Sequence, residues 1–342
     1  MRTERLRRLF PDRERAGARG AADRSQAPEA HAADADLPQP SAAGRLLPRI
    51  QSDTNRGAAT SPDIYNDHFG LSARPFALAP DPEFLFWPPA HKRAYTMLEY
   101  GVMTHSPITL ITGEVGAGKT TLLLHLIRSL GPEVRVGLIS NPNGARAELL
   151  RWVLMALDQP AGMGENYVDL FSRFQTFLIT EYASRRRVVL IFDEAQNLSA
   201  DALEELRMFT NINSGKDELL QLVLVGQPEL RDVIARPNMR QFAQRVAANF
   251  HLTAMDLRTV RAYIPHRIRI AGRDSKIFST PAVDLIYQRT GGVPRLVNQL
   301  CDLSLVYAFS KGKQTVSLAT VQQVLDDGVF FAVDASGTMG DM

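Results

Sequence analysis

Short apolar runs and longer segments with helical apolar spacing alternate through the middle of the chain. Ile108–Ile111, Val134–Ser140, Val188–Phe192 and Leu219–Val225 are compact and rich in β-branched or leucine side chains, the signature of strands buried on both faces. Between them, roughly 118–130, 147–159, 167–185 and 199–212 repeat apolar residues every three or four positions and predict amphipathic helices. Ser199 stands where an N-cap belongs, and Asn141–Gly144 and Pro160–Glu165 read as a turn and a loop. The strand expectations extend over 188–196 and 219–230, and 239–255 reads as a helix running into the short strand 248–252. Such alternation predicts an α/β fold with a parallel sheet. From Asp256 only helical patterns remain: 256–272, 280–292 with Thr280 as cap and Pro281 in the first helical position, 293–312 and 317–328.

The chemistry concentrates where the first strand meets the first helix of the alternating region. Gly113, Glu114, Val115, Gly116, Ala117, Gly118, Lys119 and Thr120 fit the spacing G-x-x-x-x-G-K-[ST], with Thr121 next door as a packing residue. Glycines let successive backbone N–H groups face one centre, and the helix that follows adds the partial positive charge of its N-terminus. Lys119 is placed to reach β- and γ-phosphates, and the Thr120 hydroxyl to hold Mg²⁺. The motif predicts a nucleoside triphosphate site.

Asp193 and Glu194 end the run 188–192. An acidic pair at the carboxyl end of a buried strand, downstream of a phosphate loop, suits Mg²⁺ binding at Asp193 and activation of water by Glu194. Gln227 follows Gly226 at the end of the next strand, where ligands of open α/β sheets sit, and is a candidate γ-phosphate sensor; the plain alternative is that Gln227–Pro228 starts a helix. Arg240 and Arg245 lie in the helix before the last strand. In oligomeric ATPases an arginine near this point reaches the neighbouring subunit's nucleotide, and Arg245 is the preferred finger, with an intramolecular ion pair as its competitor. Arg295 opens a helix after Gly291–Gly292–Val293–Pro294, held where it reports nucleotide state to the helical domain.

These readings divide the chain into a tail over 1–62, a nucleotide-binding core over 63–255, a helical lid over 256–330 and a flexible C-terminus over 331–342. The tail is rich in Ala, Arg, Asp, Pro and Ser, which favours disorder; an amphipathic contact or a transit peptide are the alternatives to a solvated tail. The stretch around Phe69, Phe76, Phe84, Phe86 and Trp87 is dense in aromatics and Pro, and is expected to pin a loop onto a core and to wall the adenine. A helix over 89–103 follows it.

At 342 residues and 45% hydrophobic content the chain is large enough for a sizeable core, and its net charge of +2 does not argue for a nucleic-acid or membrane partner. Cys301 is the single cysteine, which excludes an internal disulfide and reads as a buried structural thiol in a reducing compartment. No apolar run reaches the length of a membrane span, and the seven histidines show no metal-ligand spacing. Arg185–Arg187 reads as a solvated basic helix end.

Taken as a set, GEVGAGKT, VVLIFDEAQ, LVLVGQPEL, the Arg-containing QRV segment, GGVPRLVN and the opening FGLSARPFALAPDPEFLFWPPAHKRAYTMLEYG resemble the AAA+ ATPases of the general secretion pathway protein A type, over roughly 65–325. The resemblance implies a P-loop NTPase sheet of five parallel strands in the order 5-1-4-3-2, a helical lid and nucleotide-dependent homo-oligomers. It implies ATP and Mg²⁺ as cofactors, and hydrolysis by Lys119, Glu194, Gln227, Arg295 in cis and Arg245 in trans. Partners are expected among envelope or export-system proteins, in secretion or exopolysaccharide export. The place is the cytoplasm, with a peripheral position at the inner membrane as a variant. A DNA-binding regulator of transposition is the rival. Members of that group often continue into a membrane span and a peptidoglycan-binding domain; the sequence reaches Met342 with neither, so direct cell-wall binding is not expected. Gln227 stands where the wider superfamily commonly has asparagine.

Overall fold

A computed structural model describes residues 64–331 apart from 80, 143–145, 160–161, 163 and 215–216. The expectations for the tail over 1–62 and for 332–342 lie outside the described residues. Five strands, β1 (Ile108–Gly113), β2 (Val134–Ser140), β3 (Arg187–Asp193), β4 (Leu220–Gly226) and β5 (Val246–Leu252), form one sheet in the order β2-β3-β4-β1-β5. All neighbouring strands are parallel, and read from the β5 edge the order is 5-1-4-3-2. Every residue of β1 and β4 is buried, as a central strand covered on both faces requires, whereas β2 and β5 at the edges are partly exposed.

The strand period of two sorts the sheet's apolar residues between two cores. Ile108, Leu110, Leu190, Phe192, Leu222 and Leu224 face α3 (Arg146–Ala156), α4 (Tyr167–Ala183) and α5 (Ala200–Phe209). Ile111, Val189, Ile191, Val223 and Val225 face α1 (Pro89–Met103) and α2 (Lys119–Ser129). The helix α1 lies close enough to β1 that a Cβ on Gly101 would sit 2.0 Å from Thr109 Oγ1, so only glycine fits there. Two further short helices, α6 (Glu229–Ile234) and α7 (Arg240–Arg245), precede β5.

The second body is helical: α8 (Leu257–Ile270), α9 (Thr280–Thr290), α10 (Pro294–Ser310) and α11 (Leu318–Asp326). Their shared core also contains Tyr65, Phe69, Leu71, Phe76 and Phe84, so the aromatic stretch ahead of α1 packs with the lid helices, not on the sheet. Polar contacts hold this strap down. Ser72 N donates to Ala271 O at 2.7 Å, Arg74 pairs with Asp302 at 2.5 Å, and the Tyr65 hydroxyl donates to the other Asp302 oxygen. Cys301 lies in the same core, 0% exposed, and burial pushes its thiol well above the usual range, as suits a structural residue.

Local boundaries differ in a few places. Ser199 caps α5 as expected, its side chain accepting from Ala202 N. Ser279, not Thr280, caps α9; Thr280 is the first helical residue and Pro281 the second. The segment 219–230 is a strand only to Gly226, and α6 begins at Glu229. The strand expected over 188–196 stops at Asp193, and Ala195–Asn197 form a 3₁₀ turn. Arg186 folds back onto Glu181 at 2.6 Å, while Arg187 starts β3.

Candidate active site

The phosphate loop joins β1 to α2. Gly116 and Gly118 adopt φ of 77° and 95°, a region that side chains disfavour, so the loop can curl only because both are glycine. Lys119 is buried and its Nζ donates to Gly113 O at 2.7 Å and Glu114 O at 3.0 Å, folded back across the loop. Burial pulls its pKa below the usual lysine value; the carboxylates of Glu194 and Asp193 oppose that shift. Thr120 Oγ1 donates to Asp193 Oδ2 at 2.9 Å, which brings the first residues of α2 against the tip of β3. Asp193 is itself buried, and burial raises its pKa while the bonds from Thr120 and Glu194 N lower it. A hydroxyl and a carboxylate in contact are the oxygen donor pair that a Mg²⁺ ion with several retained waters uses. Among the described residues no cluster of three or more His, Cys, Asp or Glu offers another metal site.

Glu194 follows with φ 57°, the left-handed region, which turns its side chain away from the strand direction. Gln196 Nε2 donates to Glu194 Oε2 at 2.6 Å, and Gln196 Oε1 accepts Gln227 N at 3.0 Å. Gln227 Nε2 also approaches the same Glu194 oxygen, at 3.4 Å. The tips of β3 and β4 are thus tied through one amide side chain. Gly226 makes room for it, since a Cβ there would lie 3.0 Å from Gln196 Oε1. Gln196 is the site residue that sequence reasoning missed; its only signal was its place two positions after the candidate base.

The loop opens into a cavity lined by Val115, Gly116, Gly118, Lys119, Thr120 and Thr121 on one side, with Glu194 at its edge. The strap (Ala77–Pro88), Tyr263, Arg267, Arg295 and Asn298 close it from the lid side. Thr121, read as a packing residue, therefore faces the cavity. Glu114 instead lines a neighbouring cavity with Arg231 and His251, and enters the loop through its carbonyl. His91, in the first turn of α1, places Nε2 3.1 Å from Ala117 O and braces the loop from behind; burial depresses its pKa.

Arg295 reaches the site. Its backbone N donates to Gly116 O at 3.2 Å, and its exposed side chain makes no ion pair among the described residues. Arg245 does not reach it. It ends α7 just before Val246, which pairs with Ile108 at the start of β1, so it lies at the end of the sheet opposite the phosphate loop. There it contacts Thr210 O at 3.4 Å, Asn211 Oδ1 and, at 3.9 Å, Glu218. The intramolecular ion pair expected as the competitor is present.

Residues 102–234 match a protein-family model described as an AAA domain. The chain is 35% identical over 274 residues to General secretion pathway protein A of Aeromonas hydrophila, covering 78% of this chain and 50% of that protein. It therefore spans about half the length of that relative. Solved structures share the fold at low identity. They include the ORC2 protein of Aeropyrum pernix (17% identity, TM-score 0.56, 75% of this chain and 72% of that one). The Cdc6p of Pyrobaculum aerophilum matches at 17% identity and TM-score 0.57, over 77% of this chain and 70% of that one.

Proposed function

The chain belongs to the AAA ATPases of the general secretion pathway protein A type, and on that premise we propose that it binds ATP with Mg²⁺ and hydrolyses it to drive or regulate assembly of an envelope export system. The observation that carries the reading is the 2.9 Å contact between Thr120 and Asp193 with Glu194 beside it. Backbone amides of Gly116–Thr120 and the Lys119 ammonium hold the phosphates, Lys119 exchanging its loop carbonyls for phosphate oxygens. Thr120 and Asp193 hold Mg²⁺, which when bound neutralises charge on the β- and γ-phosphates. Glu194 takes the proton of the attacking water, and Gln227 orients the γ-phosphate end.

Arg295 supports developing charge in cis, from the lid. Arg245 acts on a neighbouring copy, since the sheet separates it from its own loop. ATP then favours an assembled, lid-closed homo-oligomer and hydrolysis releases it. The site of action is the cytoplasm or the inner surface of the inner membrane; among the described residues no helix is long and apolar enough to cross a membrane. The domain reading is a sheet body over 85–255 and a lid over 256–330 that includes the strap.

The test is phosphate release against protein concentration, with wild type, Glu194→Gln and Lys119→Ala, with and without double-stranded DNA at two salt concentrations. The expected result is a rate per subunit that rises with concentration and ignores DNA, Glu194→Gln that binds ATP without turnover, and Lys119→Ala that does not bind. Turnover intact in Glu194→Gln removes the assignment of the base. A rate that jumps with DNA at low salt alone replaces the export reading with a DNA-directed one.

A further inference from the structure

Arg267 is the charged group of the cavity that phosphate chemistry leaves unused. It sits on α8 and is 7% exposed. Its Nε donates to Pro75 O at 2.5 Å and its Nη1 to the Tyr263 hydroxyl at 3.1 Å. The guanidinium carbon lies 4.8 Å from the centroid of the Phe84 ring and 5.7 Å from that of Tyr263. The Tyr263 hydroxyl passes the chain on, donating to Asn298 Oδ1 at 2.8 Å. Among the described residues no carboxylate pairs with Arg267, and its Nη2 has no hydrogen-bond partner. Arg267, Tyr263, Asn298 and Phe84 all line the same cavity as the phosphate loop.

A buried cation without a counter-charge is costly, and a fold retains one where a ligand supplies the acceptor. Here two points of the planar fork are anchored and the ring of Phe84 fixes its plane, so the remaining donor edge is aimed rather than free to rotate. The wall around it is apolar and aromatic, built by Leu78, Phe84, Leu85, Phe86 and Pro88, which suits a flat ring better than a phosphate. Phosphate donors lie elsewhere, on the loop and at Arg295.

We propose that Arg267 is the base-recognition residue of the site: its uncommitted edge donates to a ring nitrogen of a purine whose triphosphate lies on the loop 113–120. The proposal rests on the nucleotide reading above. Because Arg267 also grips Pro75 and Phe84, an occupied base position fastens the strap and α8 around the ligand, so base identity is read by the lid.

The experiment measures equilibrium binding of ATP, inorganic tripolyphosphate and the 1-deaza, 3-deaza and 7-deaza analogues of ATP to the full chain, as wild type, Arg267→Met and Arg267→Lys, with thermal unfolding recorded for each. Arg267→Met is expected to lose about tenfold or more in ATP affinity while tripolyphosphate stays within about twofold. One deaza analogue should bind wild type as weakly as Arg267→Met binds ATP, and lose nothing further in that variant. Arg267→Lys keeps the cation over Phe84 but loses the fork, and carries the same comparison if the Met variant does not fold. Equal losses for ATP and tripolyphosphate, no loss for ATP, or wild type that binds the two equally well would each overturn the proposal. A wild type that binds neither ATP nor tripolyphosphate would overturn the nucleotide reading itself.

Discussion

Gln196 Nε2 donates to Glu194 Oε2 at 2.6 Å while the other end of the same amide accepts the backbone N–H of Gln227. The candidate base is therefore positioned by a neighbour that never touches the phosphates. Removing the amide in Gln196→Ala leaves Glu194 in the site but unaimed, and misplacement of this kind costs on the order of 10–100-fold in rate. The expected outcome is kcat reduced by that amount with KM for ATP within about twofold. A KM that rises with kcat unchanged would place Gln196 in binding instead.

Gly116 presses on Arg295. A Cβ added there would lie 2.5 Å from Arg295 Cβ, in a backbone conformation of φ 77°. Gly116→Ala is expected to push the start of α10 off the loop and weaken ATP binding by about tenfold or more, through lost positioning. Calorimetric titration against wild type checks it, and unchanged affinity would show that the lid contact is dispensable for binding.

Arg245 gives a separable prediction. Arg245→Ala removes contacts to Thr210, Asn211 and Glu218 at a partly exposed site, so stability should change by no more than about 1 kcal/mol. A finger that acts in trans is worth about 10³ or more in rate. Mixing Arg245→Ala with Lys119→Ala, each inactive alone, should restore turnover in a fraction of shared sites. Failure of the mixture to recover any activity would confine Arg245 to its internal contacts.

Phe76 is 0% exposed and meets Phe278 edge to face at 5.8 Å between ring centroids. Phe76→Ala should cost about 3–5 kcal/mol in the stability of the helical body, the usual price of emptying such a position. Urea unfolding followed by tryptophan fluorescence and by far-ultraviolet dichroism measures it, and a loss under about 1 kcal/mol would mean that the strap is not part of that core.

His91 ties stability to pH. Burial depresses its pKa in the folded chain, so the unfolded chain binds the proton more tightly. Stability attributable to His91 is then complete above the unfolded value of about 6.5 and falls as pH drops below it. His105 and His266 are depressed by burial as well, so the wild-type curve contains all three. The His91→Gln variant should show a shallower loss between about pH 6.5 and 5 than wild type. Parallel curves would remove His91 as a contributor.

The parts of the fold legible in the sequence are those whose cause is local. Ile108–Gly113, Val188–Phe192 and Leu220–Gly226 are buried on both faces, so burial alone writes them as apolar runs, and the phosphate loop carries its own glycine geometry. What stayed hidden depends on contacts far apart in the chain. Nothing within 65–84 says that its aromatics meet Tyr263, Phe278 and Cys301, because their partners lie about two hundred residues on. Ser279 and Thr280 are both competent caps, and only the backbone turn, with Ser279 at ψ 153°, chooses between them. The buried guanidinium of Arg267 likewise looks, in sequence, like one more arginine on a basic helix.

The helical core draws on residues from Tyr65 to Phe84 and again from Met255 to Phe330, so the sheet is in effect a long excursion between two halves of one smaller body. The two bodies are joined by a pair of covalent crossings, one after Phe84 and one before Met255, rather than by a single tether. A paired crossing permits bending about the line through its two points and resists twisting about any other axis. Motion of the lid over the nucleotide therefore has one soft direction built into the chain path, and a load applied to the backbone just ahead of Tyr65 is felt first by the lid and only through it by the sheet.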